Sequence, residues 1–408
     1  MNKTASYTPN PEILEKYAKV LVNFALGGGT GIKKGQVVLL SCPLSALPFY
    51  RALRKAIFDS GGITIGSLGD DMSGMGKYYF ENATEQQLTT FLDKYYRGLI
   101  DQIDHRIAVI ADWDVHEMDG VDPKKIMLAS KTNKPLGQWM DEKENKGLYT
   151  WTLALYGTPS MAAEAGLSEK EYWKQIINAC YLDQPDPIKE WKKISKEVQR
   201  VSDKLTDLQI EKLHMVGKDV DLHIKMGEKR KWLGGSGRNI PSFEVFTSPD
   251  WRGTEGWIKF NQPLYRYGSV VKDIELTFKN GRVVASKASQ NYKLLKEMLA
   301  TDQGAAQVGE YSLTDKRLSR ITKFMAETLF DENMGGKYGN SHIAVGKSYH
   351  DTFSGDPAKL NDKKLAAKLG YNESAIHTDM ITTEDRMVTA TLSSGKELVI
   401  YKNGQFTV

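Results

Sequence analysis

Two candidate metal ligands stand two positions apart in a largely apolar stretch near the C-terminal end of the sequence. Residues 375–381 read Ala-Ile-His-Thr-Asp-Met-Ile, which places His377 and Asp379 at positions i and i+2. In an extended strand these positions point to one face, so the imidazole and the carboxylate are expected to project together from a rigid element. They could form a simple hydrogen bond, or they could ligate a metal ion together.

Three further ionisable side chains in the second half of the chain lie between apolar neighbours. Glu244 lies within Phe-Glu-Val-Phe, Glu310 lies between Gly and Tyr, and His342 precedes Ile-Ala-Val. Charged side chains are seldom buried without a partner or a metal, so we expect these groups to converge. Taken singly, each has a structural alternative, because the acids could pair with lysines and His342 could be a hydrogen-bonded core residue.

Three motifs in the first half favour structural roles. The glycine-rich run 27–31 follows a predicted helix, whereas a phosphate-binding loop follows a strand, so we expect a helix end here. Asp112, Asp114 and His116 alternate after a predicted strand and could bind a metal, but a solvated loop is the expected structure. Cys42 follows an apolar run, which predicts a buried and inert thiol.

Short segments along nearly the whole chain match the pattern of one known family. They include residues 14–18, 34–39, 159, 171–173, 186–187, 239–247, 309–310, 331–333, 341–344, 349 and 377–381. In order and context, these segments resemble the thermophilic metalloaminopeptidases, also called the aminopeptidase T or aminopeptidase S family. The resemblance implies an enzyme, a metalloaminopeptidase.

The resemblance also implies the positions of the functional residues. The implied metal ligands are Glu244, Glu310, Glu332, His342, His377 and Asp379. Tyr349 is implied to lie near the reacting carbonyl. The extra residues 334–340 lie between Glu332 and His342, and they either loop out or displace Glu332. Phe243 stands where the family usually has an acid beside Glu244, which changes the expected charge of the pocket.

The implied activity is hydrolysis of the N-terminal peptide bond of peptides by a two-metal site. Two divalent ions (zinc, cobalt, manganese or magnesium), held about 3.5–4 Å apart by a bridging carboxylate, would lower the pKa of a shared water toward about 7. The resulting hydroxide would attack the carbonyl while Tyr349 donates a hydrogen bond to the oxyanion. Glu310 could also move a proton to the leaving amine. The family further implies a homodimer that encloses the active site.

Two other functions are compatible with the same residues. Glu310, His377 and Asp379 would suffice for a mononuclear iron(II) ring-cleaving dioxygenase, as in some relatives of the family, but Glu244, His342 and Tyr349 would then have no role. A metal-binding module without catalytic activity is the second alternative. It is motivated by Phe243 and by the longer loop before His342.

The elements that would position these residues fall into two predicted domains. Residues 1–205 alternate helix and strand patterns, which predicts an α/β domain with a mostly parallel sheet and a long final helix. Residues 206–408 predict an α+β catalytic domain rich in antiparallel strands, with helices at 292–299 and 315–329. Its clearest hairpin signal is Asn280-Gly281, because both residues tolerate the positive φ of a tight turn.

Composition excludes several classes of partner. The chain has 408 residues, of which 40% are hydrophobic and 26% charged, values typical of a globular protein. Its net charge of +4 is too weak to make nucleic acid or an anionic membrane the main partner. Cys42 and Cys180 form neither a disulfide framework nor a zinc cluster, which favours a reducing compartment. Neither a secretory signal nor a membrane-spanning run is visible, so we predict a cytoplasmic protein.

Overall fold

The computed structural model describes residues 7–408. In chain order, the strands are β1 (Val37–Pro43), β2 (Ile63–Gly69), β3 (His105–Ile110), β4 (Thr150–Leu155), β5 (Ile210–Gly217), β6 (Val220–Lys225), β7 (Asn239–Ile240), β8 (Glu244–Thr247), β9 (Glu255–Lys259), β10 (Leu264–Arg266), β11 (Ser269–Val271), β12 (Glu275–Lys279), β13 (Arg282–Lys287), β14 (Val308–Thr314), β15 (Asn340–Gly346), β16 (His377–Thr382), β17 (Arg386–Leu392), β18 (Glu397–Lys402) and β19 (Gln405–Phe406).

The helices are concentrated in the first half of the chain. They are α1 (Pro11–Val20), α2 (Leu26–Gly29), α3 (Leu47–Asp59), α4 (Met75–Asn82), α5 (Glu85–Thr89), α6 (Asp93–Gln102), α7 (Pro123–Thr132), α8 (Lys134–Asn145), α9 (Pro159–Glu164), α10 (Glu169–Ala179), α11 (Pro187–Asp207), α12 (Tyr292–Leu299), α13 (Thr328–Asp331) and α14 (Lys363–Lys368). Among residues 7–408, no helix combines the length and the apolar character needed to cross a membrane.

A parallel sheet with the strand order β2-β1-β3-β4-β7 organises the first half. Helices connect its first four strands, which confirms the predicted α/β architecture. The edge strand β7 comes from the second half of the chain and pairs with β4. The Tyr17 hydroxyl joins these two strands, because it donates to the Ile240 carbonyl and accepts from the Leu155 N–H, both at 3.2 Å. The domain boundary at 205/206 stays a prediction, and this strand pairing ties the two halves together.

Antiparallel strands dominate the second half, as the α+β prediction requires. They form an eight-stranded sheet, β13-β12-β9-β6-β5-β17-β18-β19, and a four-stranded sheet, β16-β15-β14-β8, besides the pair β10-β11. The residues of β6 are buried and exposed in turn, as expected of a strand with one face toward the core. The hairpin β12-β13 turns at Asn280 and Gly281 with φ values of 49° and 72°, which confirms the turn prediction.

The helix predicted for residues 315–329 is wrong. These residues form an irregular loop, and only the short helix Thr328–Asp331 follows it. The Asp331 carboxylate accepts hydrogen bonds from the backbone N–H groups of Met325 and Glu327, at 2.8 and 3.0 Å. A side chain that satisfies backbone donors in this way competes with the hydrogen bonds of a helix, so local side-chain hydrogen bonds outweigh the apolar spacing here.

Candidate metal centre

The four-stranded sheet carries most of the predicted ligands side by side. Glu244 begins β8, Glu310 lies in β14, His342 lies in β15, and His377 and Asp379 lie in β16. Every residue of β14 and β15 is buried, as is every residue of β8. Polar side chains on these strands therefore face the protein interior, where each needs a hydrogen-bond or charge partner.

The Glu310 carboxylate lies between the two imidazoles. Its Oε1 is 3.2 Å from Nε2 of His342, and its Oε2 is 3.4 Å from Nε2 of His377. Each oxygen thus faces a different imidazole nitrogen. This is the placement expected of a carboxylate that bridges two cations.

The remaining acids close the cluster around these three side chains. Glu244 Oε2 lies 3.4 Å from Nε2 of His342. Asp379 Oδ1 lies 3.3 Å from Nε2 of His377 and 3.9 Å from that of His342. Candidate ligand atoms of Glu332, His342 and Asp379 also lie within 4.8 Å of one another. The cluster therefore offers two imidazole nitrogens and four carboxylates to one small volume.

The hydrogen bonds of His377 test whether this cluster suits a metal. Its Nδ1 is 2.7 Å from the Lys347 carbonyl oxygen, which can only accept, so Nδ1 carries a proton. The neutral ring then points an unprotonated Nε2 at carboxylate oxygens of Glu310 and Asp379. Only a shared proton or a cation can stabilise that approach of lone pairs. A backbone carbonyl that orients the far nitrogen is also the usual support of a metal-bound histidine.

The pKa values of the metal-free cluster follow from burial and from its charges. Burial lowers the pKa of His342, but Glu310 and the neighbouring acids raise it to about 9. Burial likewise lowers the pKa of His377, and Asp379 and Glu310 raise it to about 10. Burial and the adjacent carboxylates raise the pKa of Glu244 to about 7. The site therefore binds protons strongly when no metal competes, as expected of a cluster with excess negative charge.

A small cleft, with a volume of about 40 Å³, lies at the cluster. Besides the six predicted ligands, its walls include Trp151, Arg238, Asn239, Ser242, Phe246 and Tyr349. The Tyr349 ring lies 4.8 Å from the His377 ring, measured between centroids. The Arg238 guanidinium lies 5.2 Å from the centre of the Tyr349 ring and is held by Glu144 and Asp351, at 2.6 and 2.8 Å. The predicted catalytic tyrosine is thus beside the candidate metal ligands.

Sequence comparison identifies the family of this chain. The sequence model of the thermophilic metalloprotease family (M29) matches residues 10–406. The chain belongs to this family. The predicted resemblance and the predicted enzyme class, a metalloprotease, are thereby confirmed.

Curated relatives and one solved structure agree with this assignment. Aminopeptidase T of Thermus thermophilus is 28% identical over 97% of this chain and 98% of its own length. Aminopeptidase 2 of Geobacillus stearothermophilus is also 28% identical, over 96% of this chain and 97% of its own length. The structure of wild-type AmpT from Thermus thermophilus has a TM-score of 0.80 and 26% identity, and covers 97% of this chain and 99% of that one. The M29 fold therefore extends over nearly the whole chain.

Two departures of this M29 sequence from the family pattern can be placed in the structure. The longer segment before His342 leaves Glu332 in the cleft wall, where the Asn239 side-chain amide donates to Glu332 Oε1 at 3.2 Å. Phe243 is fully buried and stacks on Trp191, with ring centres 5.5 Å apart. It does not line the cleft, whereas its neighbour Glu244 does. Phe243 therefore belongs to the apolar core and not to the wall of the cleft.

The motifs of the first half take structural positions. Gly27, Gly28 and Gly29 have positive φ values at the end of the first helical segment. The His116 imidazole contacts Asp119 and Glu164, at 3.0 and 3.1 Å, whereas Asp114 accepts a hydrogen bond from the His116 backbone N–H at 2.9 Å.

Three side chains outside the cleft form a group that the sequence did not suggest. His214 and His223 are directly paired on β5 and β6, and Asp221 accompanies them. Together they offer ligand atoms within 4.8 Å at a more exposed position.

Several cleft residues were not predicted from the sequence. Asn239 begins the short edge strand β7, Arg238 and Ser242 lie next to it in the sequence, and Trp151 lies on β4 in the other half of the chain. The available signal was the group of polar residues in Arg-Asn-Ile-Pro-Ser, which precedes Phe243 and Glu244. Trp151 had no local signal, because its proximity to the cluster depends on the pairing of β4 with β7.

The metal-free protein is expected to lose stability as the pH rises from about 6.5 to about 10. His342 and His377 have folded-state pKa values raised to about 9 and about 10. Their contribution to the free energy of unfolding is therefore complete below pH 6.5, the ordinary pKa of histidine, and is lost as the pH passes through the raised pKa values. The raised pKa of Glu244 acts in the same direction at lower pH. Urea denaturation with a chelator at several pH values measures this trend. Metal-saturated protein is the control and should show a weaker trend, and a metal-free stability that rises across this window would contradict the assignment.

Proposed function

We propose that this M29 chain is an aminopeptidase that uses two divalent cations to hydrolyse the N-terminal peptide bond of peptides. The observation that carries the proposal is the position of Glu310, whose two carboxylate oxygens face the imidazoles of His342 and His377. One carboxylate between two histidines, with an acid beside each of them, suits two cations better than one. The relatives named aminopeptidase T and aminopeptidase 2 support peptides with a free N-terminus as substrates.

Charge balance supports a pair of divalent ions. The ionised carboxylates of Glu244, Glu310, Glu332 and Asp379 carry four negative charges in a cleft that buries most of them. Two divalent cations neutralise this charge, whereas one would leave half of it unpaired. Imidazole and carboxylate ligands together suit zinc, cobalt or manganese, and magnesium is a further candidate.

Different residues of the cleft have different proposed roles in hydrolysis. Bound divalent cations supply a Lewis acid and lower the pKa of a coordinated water. Glu310 lies between the imidazoles of His342 and His377 and would hold the metal ions together with them. Its part in moving a proton to the leaving amine stays a prediction. Tyr349 is placed to donate a hydrogen bond to the oxyanion that forms from the peptide carbonyl. The Arg238 guanidinium against the Tyr349 ring keeps this phenol in position. The remaining carboxylates offer partners for the free α-amine of the substrate.

The alternative functions are less consistent with the same geometry. A mononuclear iron(II) dioxygenase needs only Glu310, His377 and Asp379, yet Glu244 and His342 are buried in the same cluster without another role. Membership of a metalloprotease family also favours hydrolysis. A module without catalysis was motivated by Phe243 and by the longer loop before His342. Neither feature removes a group from the cleft, because Phe243 packs in the core and Glu332 lines the wall.

We further propose a cytoplasmic homodimer. The edge strand β2 has mostly exposed residues, although strands of parallel sheets are usually covered on both faces. Ile63 and Leu68 on this strand and Met72 and Met75 beyond it are 55%, 45%, 43% and 51% exposed. A second copy of the chain would cover this apolar edge. Light scattering at micromolar concentration should give the mass of two chains, and the mass of a single chain would contradict the proposal.

Glu310→Gln is expected to abolish peptide hydrolysis and to remove at least one metal ion. The amide keeps the size of the side chain but loses the charge that bridges the two sites, so the fold should be retained. Metal content, circular dichroism and turnover are measured together. Glu397→Gln, an exposed glutamate on β18, is the matched control and should behave like the wild type. Unchanged turnover or full metal content in Glu310→Gln would refute the bridging role.

Tyr349→Phe is expected to lower kcat by roughly 10- to 1000-fold while the metal content stays the same. The ring and its contacts with His377 and Arg238 remain, and only the hydroxyl that would bind the oxyanion is lost. Steady-state kinetics on a dipeptide measure the change. Tyr95→Phe provides the control, because Tyr95 is 65% exposed on α6. Equal kcat values in the wild type and Tyr349→Phe would remove Tyr349 from the mechanism.

A further inference from the structure

A second cavity adjoins the metal cleft and extends beneath the parallel sheet. Its volume is about 240 Å³. Its walls include Ala108 and Leu153 of the sheet, Met140 of α8, and Tyr149. Trp151 and Tyr349 line both this cavity and the metal cleft, so the two spaces meet at these rings. A peptide bound at the metal centre therefore has a mostly apolar space next to it.

Arg106 brings a positive charge into this cavity. It lies on β3 directly opposite Trp151 of β4, so the two side chains leave the same face of the sheet. In the part of the chain that the structure describes, its guanidinium makes no hydrogen bond or ion pair, and its Nε is shielded from solvent. A guanidinium in this setting lacks the planar acceptor that arginine ordinarily binds with two hydrogen bonds.

The other cations at this wall are already neutralised. Lys347 contacts both carboxylate oxygens of Asp141, at 2.7 and 3.0 Å. Arg238 is paired with Glu144 and Asp351. The acids near Arg106 thus have other partners, and within residues 7–408 the charge of Arg106 has no counter-ion.

We propose that Arg106 binds a carboxylate group of the peptide substrate within this cavity. The inference rests on the proposed peptidase function, and it makes Arg106 a residue that determines specificity. Carboxylate is the chemistry that a planar and unpaired guanidinium recognises best in a peptide. Two sources can supply it: the C-terminal carboxylate of a short peptide or the side chain of an acidic residue. The first would favour dipeptides, and the second would favour acidic sequences.

Hydrolysis of three substrates by the wild type and Arg106→Gln tests the proposal. The substrates are the dipeptide Leu-Leu, its C-terminal amide, and Glu-Leu amide. We expect Arg106→Gln to lower kcat/KM about 10- to 100-fold for a substrate with a carboxylate, mainly through KM, and to leave Leu-Leu amide nearly unchanged. A loss with Leu-Leu identifies the terminal carboxylate, and a loss with Glu-Leu amide identifies the side chain. Arg106→Lys, which keeps the charge, should recover part of the loss.

The controls separate recognition from a structural effect. Arg51→Gln removes an exposed arginine on α3 and should leave all three substrates unaffected. A loss with Leu-Leu amide as large as that with the carboxylate substrates, or no loss with any substrate, would overturn the proposal.

Binding of two uncleavable analogues with a reduced peptide bond, one of Leu-Leu and one of Glu-Leu amide, is measured by calorimetry and does not depend on turnover. If the wild type cleaves none of the peptides, the proposed function fails. Weaker binding of either analogue to Arg106→Gln than to the wild type would still support the role of Arg106, and equal binding of both analogues would overturn it.

Discussion

Mutual repulsion among buried carboxylates is the constraint on which the second half of the molecule depends. Glu244, Glu310, Glu332 and Asp379 face one another across the cleft, and only two imidazoles lie among them. Like charges repel one another, and the repulsion becomes stronger as solvent is removed. Without a rigid support, these carboxylates would therefore move apart. The buried strands β8, β14 and β15 hold the carboxylates in place. The sheet thus preorganises a site that gains stability when cations arrive.

The first half of the chain contributes walls to the cleft rather than ligands. Its parallel sheet presents Trp151 next to the cluster and Arg106 in the adjoining cavity. The edge strand β7, which comes from the second half, completes this sheet and brings Arg238 and Asn239 to the cleft. The active site is therefore shared by both halves, although the candidate metal ligands come from one. This division allows substrate preference to change without disturbing the ligands.

Local patterns in the sequence predicted much of this arrangement. The spacing of His377 and Asp379 in an apolar stretch indicated a strand with both groups on one face. In β16, Nε2 of His377 lies 3.3 Å from Oδ1 of Asp379. Glu332 was predicted as a metal ligand only from the family resemblance, because its spacing from His342 does not indicate that the two side chains meet.

Other features depended on contacts that apolar spacing does not reveal. Trp151 reaches the cleft through the pairing of strands from distant segments. Residues 315–329 form a loop because the nearby Asp331 carboxylate accepts hydrogen bonds from backbone N–H groups that a helix would use.

The number of metal ions bound per chain tests the account most directly. Purified protein is stripped with a chelator, titrated with zinc, cobalt or manganese, and analysed for bound metal by elemental analysis. Two ions per chain are expected, because five candidate ligands surround the Glu310 carboxylate, which we propose as the bridge between the ions. Saturation at one ion per chain, or the absence of binding, would contradict it.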